Sequence, residues 1–142
     1  IPRIENECRD RLLIALRDKL PFNISCPPEV AMPGGKRSDS AFTYGKIAVP
    51  FEAKGQWHDQ VWSAAEKQLD TYYCIDYKAA KRGIYLVFWF GTQVPNSRKP
   101  KLPPGEIPIP ATAGEMQVAL QSTIPAHRKS DIAIVVLDAS RS

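Results

Sequence analysis

Glu52 and Lys54, a carboxylate and an ammonium two residues apart, are candidates for a catalytic or metal-binding role. They lie in the stretch PFEAKGQW at residues 50–57. Side chains at positions i and i+2 of an extended chain point to the same face, so the carboxylate and the ammonium would project together. Such a pair can hold a metal ion and orient a reacting water. It can equally be a solvated surface pair that contributes little to stability.

A predicted hairpin would position this pair. Strands are expected at Ser40–Tyr44 and at residues 46–53, joined by a turn at Gly45. Asp39 stands at the start of the first strand, thirteen positions before Glu52. Pro50 cannot donate a ladder hydrogen bond, so a bulge or an edge position is expected there. The hairpin could bring two carboxylates together at one end.

Two carboxylates and a lysine suit the hydrolysis of a phosphodiester. That reaction needs a divalent cation, which neutralises developing charge and lowers the pKa of the attacking water. Mg²⁺ requires only one or two protein carboxylates besides waters and substrate oxygens, so Asp39 and Glu52 would suffice, with Mn²⁺ as a substitute. Lys54 would orient the water or stabilise the transition state. Taken alone, Asp39 could also be an ordinary turn aspartate.

The other segments alternate between helices and strands. The pattern predicts helices over residues 5–20, 59–77 and 112–122, buried strands at residues 84–90 and 132–137, and a Pro-rich connection over residues 92–111. The apolar stripe of the first helix comprises Cys8, Leu12, Ala15, Leu16 and Leu20. This order predicts an α/β fold in which helices flank both faces of a mixed sheet.

The order of Asp39, Glu52 and Lys54 resembles the PD-(D/E)xK nuclease superfamily. Asp39 matches the motif aspartate, with Ser38 in place of the motif proline, and the residues "EAK" match its ExK. The resemblance covers nearly the whole chain because the order of elements also agrees. It implies a restriction-endonuclease-like three-layer sandwich, with residues 1–142 as one nuclease-like domain.

Gln68 and Tyr72 extend the resemblance to the RecB-like branch, in which a Gln-x-x-x-Tyr element follows ExK. Residues at i and i+4 share one face of a helix. The resemblance implies that Gln68 faces the active site and orients Lys54, a water or the phosphate. Tyr72 would support the site.

The resemblance also implies a ligand set for Mg²⁺. Asp39 and Glu52 would be direct ligands and the Ala53 carbonyl a third. Glu5 on the first helix would bind through water or hold a second ion. Glu7 is the alternative helix-borne acid, and Glu5 is slightly preferred because it lies at the edge of the buried face.

The activity implied is that of a Mg²⁺-dependent deoxyribonuclease, an endonuclease rather than an exonuclease. The basic residues Arg98, Lys99 and Lys101 would contact DNA phosphates. The parent would be a larger bacterial protein of DNA repair or phage defence, and double-strand cleavage would favour a homo-oligomer or two successive nicks. The alternative is an inactive nuclease-like module that binds nucleic acid or protein.

Two residues beyond the motif have alternatives of their own. Trp57 could stack on a base or ribose, although such a tryptophan is more often part of the core or a packing lid. His58 lies near the start of the next helix with no second His or Cys at ligand spacing, so capping or surface exposure is expected.

Composition narrows the class of protein. The chain has 142 residues, 44% hydrophobic and 24% charged, as expected of one globular domain. Its net charge of +4 mildly favours a polyanionic partner. The absence of a P-loop and of a Gly-x-Ser-x-Gly elbow argues against nucleotide and serine hydrolases.

The cysteines and the first residue of the chain suggest a cellular location and a larger parent protein. The three cysteines, Cys8, Cys26 and Cys74, are widely spaced and are expected to be free thiols in a reducing compartment. No signal sequence or long apolar run occurs, so a cytoplasmic location without a membrane partner is expected. The chain begins at Ile1 without an initiator Met, which suggests a domain excised from a longer protein with further domains.

Overall fold

The computed structural model describes residues 2–17, 19, 24, 30–31, 37–38, 40–44, 47–66 and 82–140. In chain order these residues form α1 (Pro2–Arg17), β1 (Val30–Ala31), β2 (Arg37–Ser38), β3 (Ser40–Tyr44), β4 (Ile47–Gly55), β5 (Gly83–Trp89), α2 (Ala113–Ser122) and β6 (Ile132–Asp138). Single 3₁₀ turns lie at Asn96–Arg98 and Ala126–Arg128.

Strands β3, β4, β5 and β6 form a mixed sheet in that spatial order. β3 is antiparallel to β4, whereas β4, β5 and β6 run parallel to one another. β1 and β2 form a separate antiparallel pair. Parallel neighbours need a crossover connection, and α2 lies in the one between β5 and β6.

The predicted hairpin is confirmed by β3 and β4, in which Ser40 faces Phe51 and Tyr44 faces Ile47. Pro50 lies opposite Ala41, and pairing of β4 with β5 begins only at Phe51. Among the described strands Pro50 therefore has only β3 beside it, so its missing N–H removes no hydrogen bond to β5. β4 is an inner strand and its register with β3 is unbroken, so neither the expected edge position nor the expected bulge is found at Pro50.

Strand β5 separates two apolar layers because its alternate side chains point to opposite faces. Tyr85, Val87 and Trp89 join the cluster that contains Met116 and Leu120 of α2. Leu86 and Phe88 join the cluster that contains Leu13 of α1, together with Phe51 and Ala53 of β4. The predicted α/β arrangement is confirmed at this level: a mixed sheet with α1 on one face and α2 on the other.

Helix α1 is confirmed as amphipathic, and the predicted Cys8 and Leu12 pack against the sheet, but its bounds and one residue of its apolar stripe differ from the prediction. It spans Pro2–Arg17 instead of residues 5–20. Leu13 is the residue buried against the sheet, whereas Ala15 is exposed and was wrongly placed in the stripe. Cys8 is half-buried and forms no disulfide bond among the described residues. Cys26 and Cys74 lie outside the described residues.

Helix α2 begins where the capping sequence predicts. The Thr112 hydroxyl accepts a hydrogen bond from the Glu115 N–H at 3.1 Å, and the Glu115 carboxylate accepts one from the Ala111 N–H at 3.1 Å. The first bond satisfies a donor that a helix start leaves open, and the second fixes the residue that precedes the cap. Strand β6 follows and is only half-buried, because Ala133 and Val135 are exposed on the side opposite α2. The prediction of a fully buried last strand was wrong.

The predicted helix over residues 59–77 is described only as far as residue 66. Residues 59–63 form turns, and helical geometry begins at Ala64. The remainder, with Gln68 and Tyr72, lies outside the described residues. Among the helices that the structure describes, none combines the length and the apolar character that crossing a membrane requires.

Candidate functional site

Glu52 and Lys54 lie on the α2 side of strand β4. Their positions face Tyr85 and Val87 of β5, which belong to the α2 layer, while Ala53 between them belongs to the α1 layer. Lys54 Nζ is 3.3 Å from Glu52 Oε2. The predicted same-face arrangement of carboxylate and ammonium is therefore confirmed.

The pair is buried, unlike a surface salt bridge. The Glu52 and Lys54 side chains are 6% and 11% exposed, and the facing Tyr85 and Val87 are fully buried. Taking two charges out of water costs several kcal/mol per ion, which their attraction repays only with good geometry. Well-packed apolar residues would be about as stable here, so stability alone gives no reason for this pair.

Of the other predicted site residues, Ala53 is described and buried, and its backbone lies on β4 between the two charged residues. Asp39 and Gln68 lie outside the described residues. Glu5 belongs to α1, but its side chain is likewise outside the description. The Glu7 side chain is exposed.

The Glu52 carboxylate fits the preference of Mg²⁺ for hard oxygen ligands. Within residues 2–17, 19, 24, 30–31, 37–38, 40–44, 47–66 and 82–140, no three His, Cys, Asp or Glu side chains form a group that could hold a metal ion. The second carboxylate of the predicted set, Asp39, is not among those residues. The described part of the chain thus supplies one carboxylate and one lysine of the predicted site.

Gln56, two residues after Lys54, connects the end of β4 to two other segments. Its side-chain amide donates to the Gly91 carbonyl and to the Arg98 carbonyl, each at 2.8 Å. Its Oε1 accepts from the Phe90 N–H at 2.7 Å. The side chain is fully buried, and its backbone carbonyl accepts from the Lys101 N–H at 3.0 Å. The Pro-rich connection is therefore held against the sheet.

Trp57 is a packing residue in this structure. It is 4% exposed, its ring centroid lies 5.6 Å from that of Phe90, and the Arg98 guanidinium carbon lies 5.4 Å from the Trp57 ring centroid. A Cβ atom on Gly55 would come within 2.6 Å of the Trp57 ring, so the indole requires glycine at this position. Stacking of Trp57 on a base would need the indole to leave this packing.

His58 has the capping role expected for it, since its Nδ1 accepts a hydrogen bond from the Gln60 N–H at 3.0 Å. The next residue, Asp59, contacts the Pro-rich connection. Its carboxylate lies 2.9 Å from Lys101 Nζ, and the Trp62 indole N–H donates to the Lys101 carbonyl at 2.9 Å. Residues 58–62 thus form a second, more exposed attachment for the connection.

The Lys101 ammonium, through its hydrogen bond and its charge, holds the pKa of the Asp59 carboxyl below its usual value. Because the folded-state pKa is lowered, the contribution of the pair to stability is present at neutral pH and is lost as the pH falls through the folded pKa. Asp59 is 88% exposed, so solvent screening keeps this contribution small.

Residues 2–92 match the family described as Domain of unknown function (DUF8371). The chain belongs to this family. No curated protein and no solved structure shows a significant match to the chain. The DUF8371 match includes α1, β4 with Glu52 and Lys54, and Gln56. It ends before the basic residues of the Pro-rich connection.

Sequence reasoning assigned no role to Gln56. Its side-chain partners lie 34 to 42 residues further along the chain, so no local spacing marks it. The available signal was its place directly after a strand and among apolar or glycine neighbours. A polar residue in such a position must find hydrogen-bond partners if it is buried.

Proposed function

We propose that this chain is a metal-dependent nuclease domain that cleaves DNA, with a restriction-endonuclease-like sandwich as its fold. The observation that carries the proposal is the buried Glu52–Lys54 pair, with 3.3 Å between Nζ and Oε2, on one face of β4. Stability does not account for this pair, whereas metal-dependent hydrolysis gives both groups a use: the carboxylate as a metal ligand and the ammonium as a donor to the water or the phosphate.

The topology around the pair supports the proposal. A helix precedes an antiparallel hairpin, the second strand of the hairpin carries the pair, and that strand runs parallel to the next one. In this hairpin Ser40 faces Phe51, the residue directly before Glu52. Asp39 lies outside the described residues, and its participation in the site is part of the proposal.

The proposed roles of the individual residues are those that the resemblance to the nuclease superfamily implies. Glu52 and Asp39 would bind Mg²⁺ or Mn²⁺ directly, the Ala53 carbonyl would complete the protein ligands, and Glu5 would act through a water or at a second ion. When bound, the ion supplies charge neutralisation and an acidified water. Lys54 would hold that water by hydrogen bonding and stabilise negative charge on the phosphate, while Gln68 would orient Lys54 or the phosphate.

The proposed substrate is DNA, cut internally. Arg98, Lys99 and Lys101 lie in the connection that Gln56 holds at the end of β4, where they could contact backbone phosphates. The parent would be a larger bacterial protein of DNA repair or phage defence acting in the cytoplasm, with homo-oligomerisation as one route to double-strand cleavage.

One observation favours a second candidate function, that of a nuclease-like module that binds nucleic acid or protein without cleaving it. With 6% and 11% of their side-chain surface exposed, Glu52 and Lys54 offer little surface to a substrate phosphate in this arrangement. A binding module would contact its partner through the exposed cations of the Pro-rich connection. The buried pair would then have no catalytic role.

Cleavage of supercoiled plasmid distinguishes the two candidates. We expect nicking with Mg²⁺ or Mn²⁺ that chelator stops and that Glu52→Gln abolishes. Glu106→Gln is the matched control, since Glu106 is an exposed acid of the Pro-rich connection, and it should cleave normally. Salt-sensitive DNA binding without cleavage under any of these conditions would favour the binding module.

A further inference from the structure

We infer that Gln56 is a positioning residue that fixes the basic segment Arg98–Lys101 relative to Glu52 and Lys54, so that one nucleic-acid backbone meets both. This inference rests on the proposed function, because the shared partner is DNA. The part that concerns the protein alone, the anchoring of the basic segment, can be tested without DNA.

The hydrogen bonds of Gln56 are unusually complete for one side chain. An amide side chain has two N–H donors and an acceptor oxygen, and here both donors and the oxygen are used, at 2.8, 2.8 and 2.7 Å. The partners belong to two segments, the end of β5 and the basic segment. A fully satisfied buried amide fixes the relative position of the segments it joins.

The basic segment has other attachments: the Arg98 guanidinium lies over the Trp57 ring, and the polar contacts of the two lysine side chains are exposed. The Lys101–Asp59 ion pair has side chains 47% and 88% exposed, and the Lys99 ammonium donates to the Thr92 carbonyl at the surface. Exposed ion pairs are screened by solvent and contribute little to stability. Gln56 is therefore the buried anchor, and it acts on the segment through backbone atoms of residues 98 and 101, leaving the lysine side chains accessible.

The anchor is two residues from Lys54 on the same strand end. In open α/β sheets, ligands bind at the carboxyl ends of the parallel strands. The carboxyl ends of β4 and β5 meet at Gln56 and Gly91, and the basic segment is bonded to this edge. Lys54 lies two residues and Glu52 four residues before Gln56 on β4, so a phosphate backbone that contacts the basic segment meets the end of β4 nearest to this pair.

Limited trypsin digestion tests the anchoring. Trypsin can cut after Arg98 and after Lys101, whereas Pro100 protects the bond after Lys99. Cutting after the exposed Lys129 near β6 serves as an internal reference. Gln56→Met keeps the side-chain length and removes all three side-chain hydrogen bonds. We expect cutting after Arg98 and Lys101 to accelerate about tenfold relative to Lys129, because local opening becomes easier.

Two further variants separate anchoring from general instability. Leu120→Ala removes a buried side chain of α2 away from this edge, so it destabilises the fold without freeing the basic segment, and its digestion pattern should match the native one. Gln56→Glu keeps the acceptor for Phe90 but loses the two donors, so it should free the segment as Gln56→Met does. Unchanged cutting in both Gln56 variants would overturn the inference.

The salt dependence of binding to a short DNA duplex tests the link to the substrate. Each phosphate contact contributes about 0.9 to the slope of log K against log salt. We expect Gln56→Met and the triple variant Arg98→Ala/Lys99→Ala/Lys101→Ala each to reduce the steepness of this slope by about two to three units relative to native protein.

A shallower slope in the triple variant together with a native slope in Gln56→Met would overturn the inference and leave the proposed function intact. If the native protein bound no DNA, both the inferred partner and the proposed function would be overturned. The trypsin digestion would still show whether Gln56 holds the basic segment in place.

Discussion

At the scale of single residues, the Glu52–Lys54 pair matters because its two charges are buried together. The side chains are 6% and 11% exposed, so neither charge is well hydrated. Removing one member of a buried pair leaves an opposite charge in a poorly solvated place, and this loss exceeds the net contribution of the intact pair.

We therefore predict a strongly non-additive double-mutant cycle. Lys54→Met and Glu52→Leu should each lower the free energy of unfolding by about 3–5 kcal/mol, while the double variant recovers most of the loss because no charge remains buried. Urea denaturation of the four proteins measures this. A double variant whose loss equals the sum of the two single losses would show that the charges are solvated independently.

Gly55 gives a second prediction at this scale. Gly55→Ala should lower the free energy of unfolding by about 1–3 kcal/mol, because its Cβ would come within 2.6 Å of the Trp57 ring. Gly114→Ala in the first turn of α2 is the control. The nearest atom to its Cβ is 3.9 Å away, so alanine should be neutral or slightly stabilising there. Equal urea midpoints for the two variants would contradict the close packing of Trp57 on β4.

At the scale of elements, local patterns predicted several features correctly. The continuous apolar run predicted the central position of β5, and Thr112 with Glu115 predicted the start of α2. The pattern failed for β6, where the exposed Ala133 and Val135 are as apolar as the buried Ile132 and Ile134. Sequence alone could not show that α1 lies against β4, which leaves Ala133 and Val135 exposed.

The outer edge of β6 is protected by a side chain. In the part of the chain that the structure describes, β6 pairs only with β5, and the Val136 N–H donates to Gln117 Oε1 of α2 at 3.0 Å. An unpaired strand edge with apolar side chains is a template for another strand. The Gln117 amide occupies a position that an incoming strand would need.

We predict that Gln117→Ala increases self-association, because it uncovers an edge N–H beside the exposed Val135. Sedimentation velocity over a range of protein concentrations measures this. Gln121→Ala, an exposed position one turn later on the same helix, should sediment as the native protein does. Identical sedimentation of the two variants would show that the Gln117 bond does not limit pairing at this edge.

At the scale of the whole molecule, the candidate site depends on contacts between distant parts of the chain. The motif residues could be found because Glu52 and Lys54 are neighbours in sequence. Gln56 could not, because its partners are at residues 90, 91 and 98 and their approach depends on the parallel pairing of β4 with β5. The place of Gln68 and Asp39 in the site remains a prediction.

Metal binding should be visible in the stability of the whole chain. A ligand that binds only the folded state at about 100 times its Kd stabilises by roughly 2.7 kcal/mol. We predict that Mn²⁺ raises the thermal midpoint of the native protein and of Glu106→Gln, and that Glu52→Gln abolishes the increase. An equal increase in Glu52→Gln, measured by differential scanning calorimetry with and without chelator, would place the metal elsewhere.

The most direct test of the central claim is cleavage of supercoiled plasmid by native protein and by the double variant Glu52→Leu/Lys54→Met, each at the same folded fraction with Mg²⁺ or Mn²⁺. The variant should retain the fold because both buried charges are removed together. We expect nicking by the native protein, loss of nicking with chelator, and no nicking by the folded double variant. Equal nicking by both proteins, or none by the native protein with either metal, would contradict it.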